Sequence, residues 1–232
     1  MPMQLNIDAL SVELVYKPIR RMHLRILPPD GVVQVTAPHH TPESTVAHFV
    51  REKRAWIARQ QALLAARPRQ TSPEYEDGQS VYLWGETYCL RLNHVRRGRC
   101  AALRGRELVL SVLPGDCSQQ REALLNEWYR AQLHAQLEAR LPLWQARMGL
   151  FCADWQIKNM KTRWGTCNTR TKKLWFNLQL VKQPPACLDY VIVHELAHLR
   201  FSDHGAQFQA LLRAFLPHWP ELRRALNEHP FL

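Results

Sequence analysis

The order of apolar and polar positions divides the chain into short alternating runs and longer helical stripes. Val12, Leu14 and Tyr16 alternate with polar neighbours, as do Leu24 and Ile26, and then Val33 and Val35. These runs predict short strands within 11–40, with Pro28-Pro29-Asp30-Gly31 as a turn. Thr41-Pro42-Glu43 follows as a helix start, Thr41 capping and Pro42 in the first turn. One long helix is expected from the stripe Val46, Phe49, Val50, Trp56, Ile57 and Leu63-Leu64, closed by Arg67-Pro68. Residues 69–78 are polar and read as a connection.

Alternation returns over 80–113. Residues 81–84 and 88–92 around Gly85-Glu86 predict a hairpin, and Glu107–Val112 a further strand. Leu113-Pro114-Gly115-Asp116 breaks the pattern, so the expected division is 1–117, a β-rich region with one long helix, and 118–232, a second domain. Residues 119–149 carry Leu124-Leu125, Trp128, Leu133, Leu137, Leu141 and Trp144 at helical spacing, with Pro142 a candidate kink. Residues 155–161 and 173–180 read as a strand pair with Asn168-Thr169-Arg170-Thr171 as its turn. Beyond position 204, Phe208, Leu211-Leu212, Phe215 and Leu216 form a helix ending at Pro217, and 219–227 a short last one. No repeat of fixed period is visible. The expected class is α+β.

Composition adds constraints. At 232 residues and 46% hydrophobic content the chain has length for a real core. No apolar run approaches the roughly 20 residues that span a bilayer. The amino terminus lacks the apolar core of an export signal, so a cytoplasmic protein without membrane contact is expected. Cys89, Cys100, Cys117, Cys152, Cys167 and Cys187 are scattered with no C-x-x-C, which reads as buried reduced thiols; Cys167 is also a nucleophile candidate that lacks an assigned base. The net charge of +11 divides as +5 over 1–70, neutral over 71–117 and +6 over 118–232. That supports non-specific nucleic-acid binding or simply a solvated basic surface. The densest stretch is Lys161, Arg163, Arg170, Lys172 and Lys173, with no acid among them.

The chemistry is concentrated in Tyr190-Val191-Ile192-Val193-His194-Glu195-Leu196-Ala197-His198-Leu199. On a helix, residues four apart share a face, so His194 and His198 present two imidazoles to one ion. Glu195 then takes the place of the general base. The surrounding residues are apolar, and three polar groups buried among them would cost several kcal/mol without a partner such as a metal. A continuous helix would carry His204 about 15 Å from His194, so the helix must stop near 199–201 for His204 to join. Ser202-Asp203 and Gly205 supply that turn. His218, Glu221, Glu228 and His229 are the competing third ligands. Arg163 is a candidate for oxyanion stabilisation and Asn177 for positioning substrate; equally, both can tie the hairpin together.

The spacing H-E-x-x-H-x5-H equals that of metzincins, but Phe201 stands where their turn glycine would be and no methionine follows His204. The chain more closely resembles the YgjP-like family of metal-dependent hydrolases, related to SprT-like and WLM metallopeptidases. The resemblance is carried by Lys161-Thr162-Arg163-Trp164-Gly165-Thr166-Cys167, Leu174-Trp175-Phe176-Asn177-Leu178, the run from Leu188 to Leu199, His204 and Phe208. It implies a zincin-like catalytic domain with a small antiparallel sheet before the metal helix. It also implies a zinc-dependent hydrolase with one Zn²⁺ per chain but does not supply the substrate; metal-activated water with Glu195 as base makes a peptide or protein the expected one. The rival readings are a non-peptide hydrolase using the same ion and a nucleic-acid-associated protein with a structural metal.

Overall fold

A computed structural model describes residues 3–27, 30–66 and 75–228. The expected Pro28-Pro29 turn, the Arg67-Pro68 helix end and His229 lie outside the described residues, as does most of the 69–78 connection. The chain forms two units, Met1–Ser72 and Pro73–Leu232.

In the first unit, β1 (Met3–Ile7), β2 (Leu10–Lys17), β3 (His23–Leu27) and β4 (Val32–Pro38) form one sheet in the order β1-β2-β4-β3. Its outer pairs are antiparallel, and β2 runs parallel to β4 with Val12 beside Val33 and Leu14 beside Val35. The alternation seen in the sequence places Val12, Leu14, Val33, Val35 and Ala37 on one buried face. Val46, Val50 and Ile57 cover it, each buried aliphatic side chain contributing about 1.5–3 kcal/mol. The expected single helix is instead two, α1 (Glu43–Glu52) and α2 (Arg54–Ala66), parted at Lys53. Thr41 is not the cap: its hydroxyl donates to the Pro38 carbonyl, and Pro42 holds the cap position. Trp56 points outward and is half-exposed.

The second unit opens with β5 (Ser80–Leu83), β6 (Glu86–His94), β7 (Cys100–Arg104) and β8 (Glu107–Val112), in the order β5-β6-β8-β7. The outer pairs are again antiparallel and the inner pair, β6 with β8, parallel. Helix α3 (Ser118–Met148) buries Leu125, Tyr129, Leu133, Leu137 and Leu141, spaced by four, and ends at Gly149 with φ +64°. These residues share one core with Leu90, Leu108 and Leu110 of the sheet. The division therefore falls at 72/73 and not at the expected 117/118. The Pro-Gly-Asp segment before α3 is a turn inside a unit, closed by Asp116 accepting the Leu113 N–H at 2.8 Å.

A third sheet joins β9 (Asp154–Lys158), β10 (Gly165–Asn168) and β11 (Lys173–Asn177) in the order β10-β11-β9. It is mixed, not the expected antiparallel sheet: β10 pairs antiparallel with β11, and β9 parallel. The turn at 168–171 joins β10 to β11, with Asn168 Oδ1 accepting the N–H groups of Arg170 and Thr171. Residues 178–180, the end of the expected strand 173–180, belong instead to a 3₁₀ helix (Leu178–Lys182). Helices α4 (Pro185–Ala197), α5 (Ala206–Phe215) and α6 (Trp219–Glu228) complete an α+β fold with three small mixed sheets. Among the described residues no helix is long and apolar enough to cross a membrane. All six cysteines are free; only Cys187 is buried, and Cys100 and Cys117 are exposed.

Candidate metal centre

Helix α4 starts at Pro185, whose missing N–H costs nothing in a first turn. It is apolar nearly all round, with Leu188, Val191, Ile192, Val193 and Leu196 buried, which makes it the central element of the second unit. Asp189 fixes its position against α3, accepting Arg140 Nη1 at 2.7 Å and Trp144 Nε1 at 2.8 Å. The helix ends at Ala197, and the Phe201 N–H returns to the Ala197 carbonyl at 3.0 Å. That reversal brings His204 back over His194.

The ligand atoms of His194, His198 and His204 lie within 4.8 Å of one another. His194 Nε2 and His204 Nε2 are 3.2 Å apart, and a tetrahedral zinc site with Zn–N near 2.05 Å sets its nitrogens about 3.3–3.4 Å apart. The Phe208 ring closes the cluster from α5, its centroid 4.8–5.0 Å from all three imidazoles. His198 Nδ1 sits 3.1 Å from the Phe201 carbonyl, a contact that places the proton on Nδ1 and leaves Nε2 as the lone-pair donor. Tyr190 Oη stands 3.4 Å from His194 Nδ1 in the same supporting role. Burial, then repulsion from His198, His204 and Arg223, pushes His194 down to about 3; burial lowers His198 as well. Imidazoles held neutral at pH 7 are in the form a metal binds. The donor set therefore fits a metal ion.

Glu195 is 4% exposed. Its carboxyl rests against Gly165 of β10, where an added Cβ would stand 2.6 Å from Oε1. Gly165 is the space that lets the acid lie beside the imidazoles. Burial raises the Glu195 carboxyl to about 8, with Arg163 pulling in the other direction. The three imidazoles, Tyr190, Glu195 and Gly165 line a cavity of about 630 Å³. Its other walls are Thr162, Arg163 and Cys167 on one part of the chain and Arg223, Leu226 and Asn227 on α6. Burial, and then the Glu195 charge, raises the Cys167 thiol to about 11, so it is protonated at neutral pH and a poor nucleophile.

Arg163 is exposed on the cavity wall. Asn177 is not on that wall. It is fully buried, its amide donating to the Met160 carbonyl at 2.8 Å and the Arg163 carbonyl at 2.7 Å while Oδ1 accepts from Gln179. Asn177 thus shapes the segment that presents Arg163. His218 and Glu221 are exposed and outside the histidine cluster; the Glu228 side chain lies outside the described residues. Gly165, Tyr190, Arg223 and Asn227 were not singled out from the sequence as site residues. Nothing local marks Arg223 or Asn227, which join the site only because α6 packs on α4.

The profile of the YgjP-like metallopeptidase domain matches residues 20–229. The chain belongs to the YgjP-like family. No curated protein matches this YgjP-like chain. Two solved structures are similar to part of it. One is the metallopeptidase zymogen of Pyrococcus abyssi abylysin, 18% identical, TM-score 0.37, covering 39% of this chain and 90% of that one. The other is the metallopeptidase zymogen of Methanocaldococcus jannaschii jannalysin, 22% identical, TM-score 0.36, covering 40% and 94%. Both overlaps are partial, and membership stands on the family profile.

Proposed function

We propose that the protein is a zinc-dependent metallopeptidase of zincin type, with His194, His198 and His204 as ligands and Glu195 as general base. The observation that carries this reading is the meeting of three imidazoles with one buried carboxyl in a cavity open to substrate. When bound, zinc supplies Lewis acidity, polarising a peptide carbonyl and acidifying a water. A carboxylate oxygen of Glu195 accepts the water proton and later hands it to the leaving nitrogen. A cation beside the carboxyl favours its ionised form, offsetting the rise that burial causes. Phe208 packs against the three imidazoles, and Leu226 is an apolar part of the cavity wall. An extended peptide can pair with the edge strand β10, whose Gly165, Thr166 and Cys167 line the cavity.

The test is a comparison of metal content and turnover. Glu195→Gln keeps about one zinc per chain and an unchanged Tm but loses hydrolysis of an unfolded protein by about 10²–10⁴-fold. His204→Ala loses zinc and activity together. Wild-type turnover by Glu195→Gln would overturn the mechanism, and full zinc retention by His204→Ala would remove that ligand.

A further inference from the structure

Two guanidinium groups line the cavity from separate elements, Arg163 from the segment entering β10 and Arg223 from α6. Among the described residues neither is in an ion pair, whereas Arg99, Arg121 and Arg140 of the same unit each hold a carboxylate. Among the described residues the one carboxyl that lines the cavity is Glu195, which is buried and, on the reading above, serves as the base. A concave wall with unpaired positive charge focuses its field on the cavity contents. Asn227 lies one turn beyond Arg223 on the same helix face and also lines the cavity, as does Thr162 beside Arg163. Each arginine therefore has a neutral hydrogen-bonding neighbour, a set suited to a carboxylate held by a guanidinium fork.

We propose that Arg163 and Arg223 receive a carboxylate of the substrate, so that the site selects peptides bearing an acidic group next to the bond it cleaves. This rests on the peptidase reading above and names its substrate class. The carboxylate has two sources, an Asp or Glu side chain or the free carboxyl terminus of the peptide.

The experiment uses dye-labelled alanine-rich heptapeptides with a central Glu or Gln, each with a free or amidated carboxyl terminus. Binding to the metal-free full-length chain is read by anisotropy, and cleavage by the zinc-loaded chain by mass spectrometry. A carboxylate is expected to tighten binding roughly tenfold over its neutral twin, an advantage that shrinks as salt rises. Arg223→Gln brings the charged-to-neutral ratio close to one, and Arg223→Glu turns the preference toward a Lys-containing peptide. Loss on Glu→Gln exchange assigns the side chain, and loss on amidation assigns the terminus; either supports the proposal. Equal binding of all four peptides overturns it, as does a ratio unchanged in both Arg223→Gln and Arg163→Gln. Carboxylate-dependent binding without cleavage of any peptide leaves the anion site standing and sinks the peptidase reading.

Discussion

Sheet β1-β2-β4-β3 of the first unit and sheet β5-β6-β8-β7 of the second follow one plan: two antiparallel hairpins joined through a parallel inner pair. Each also opens with a two-residue turn whose central residues are left-handed, Asp8-Ala9 at φ +47° and +65° and Trp84-Gly85 at φ +50° and +85°. They differ in what the turn touches. Asp8 is held at the surface by Arg51, at 2.8 Å, and by Arg54. At the second turn the N–H groups of Trp84 and Gly85 donate to Val181 and Lys182 of the 3₁₀ helix, and Gly85 lies under Pro184 at the head of α4. The first sheet keeps its core to itself; the second shares its core with α3 and the helix that carries the ligands. The same strand plan thus serves as a closed module in one place and as the mounting of the helix bearing His194 and Glu195 in the other.

Glycine substitutions sharpen the contrast most. Gly165→Ala pushes on the Glu195 carboxyl and should cut hydrolysis of an unfolded protein by about 10²-fold or more while zinc content holds. Gly31→Ala in the first unit, at φ +71° with its nearest neighbour at 3.5 Å, should cost about 1–2 kcal/mol by urea titration and leave kcat/KM unchanged. Equal losses of activity in the two would break the division of labour between the units.

The equivalent turns come next. Gly85→Ala adds left-handed strain to a Cβ contact 2.9 Å from Pro184 Cγ, so the second unit should lose about 2–5 kcal/mol, with weaker zinc retention.

Acid separates the two regions more gently. The bidentate Arg99 contact holds the Asp116 carboxyl at about 2, and the Asp116 side chain is 5% exposed. Asp8, also lowered by its arginine, is 43% exposed. Both carboxyls are depressed in the folded chain. Their stabilisation is present above the unfolded value near 3.9 and is lost as pH falls toward 2. Asp116→Asn should therefore lower the urea midpoint at pH 6 more than Asp8→Asn, and the difference should vanish near pH 2.

The smallest change expected is Ala9→Gly, which relieves left-handed strain at the first turn. It should add about 0.5–1 kcal/mol to the first unit with no change in turnover; destabilisation would mean that the two turns are not equivalent.

Legibility in the sequence followed the reach of the forces. Val12, Leu14, Val33 and Val35 were readable because a half-buried strand alternates, and the α3 stripe because one face is buried every four residues. His204 was readable because the helix had to stop before it. Strand β10 was not: Gly-Thr-Cys-Asn has no apolar period and is a strand because β11 pairs with it. The α1–α2 break at Lys53 has neither Gly nor Pro to announce it. The parallel pairing of β9 with β11, and of β6 with β8, depends on contacts across long stretches of chain that no local pattern encodes. Arg223 belongs to the cavity for the same reason.

The three imidazoles come from one short arc of chain, His194 to His204, while the cavity walls run from Thr162 to Asn227. Ring closure over so few residues carries a small entropic penalty, whereas assembling the walls requires the topology of the whole second unit. Ion capture and substrate discrimination therefore have different thresholds. On the peptidase reading proposed above, a chain whose second unit is partly loosened still chelates through the α4 corner after its selectivity has gone, so metal retention alone is a poor gauge of competence.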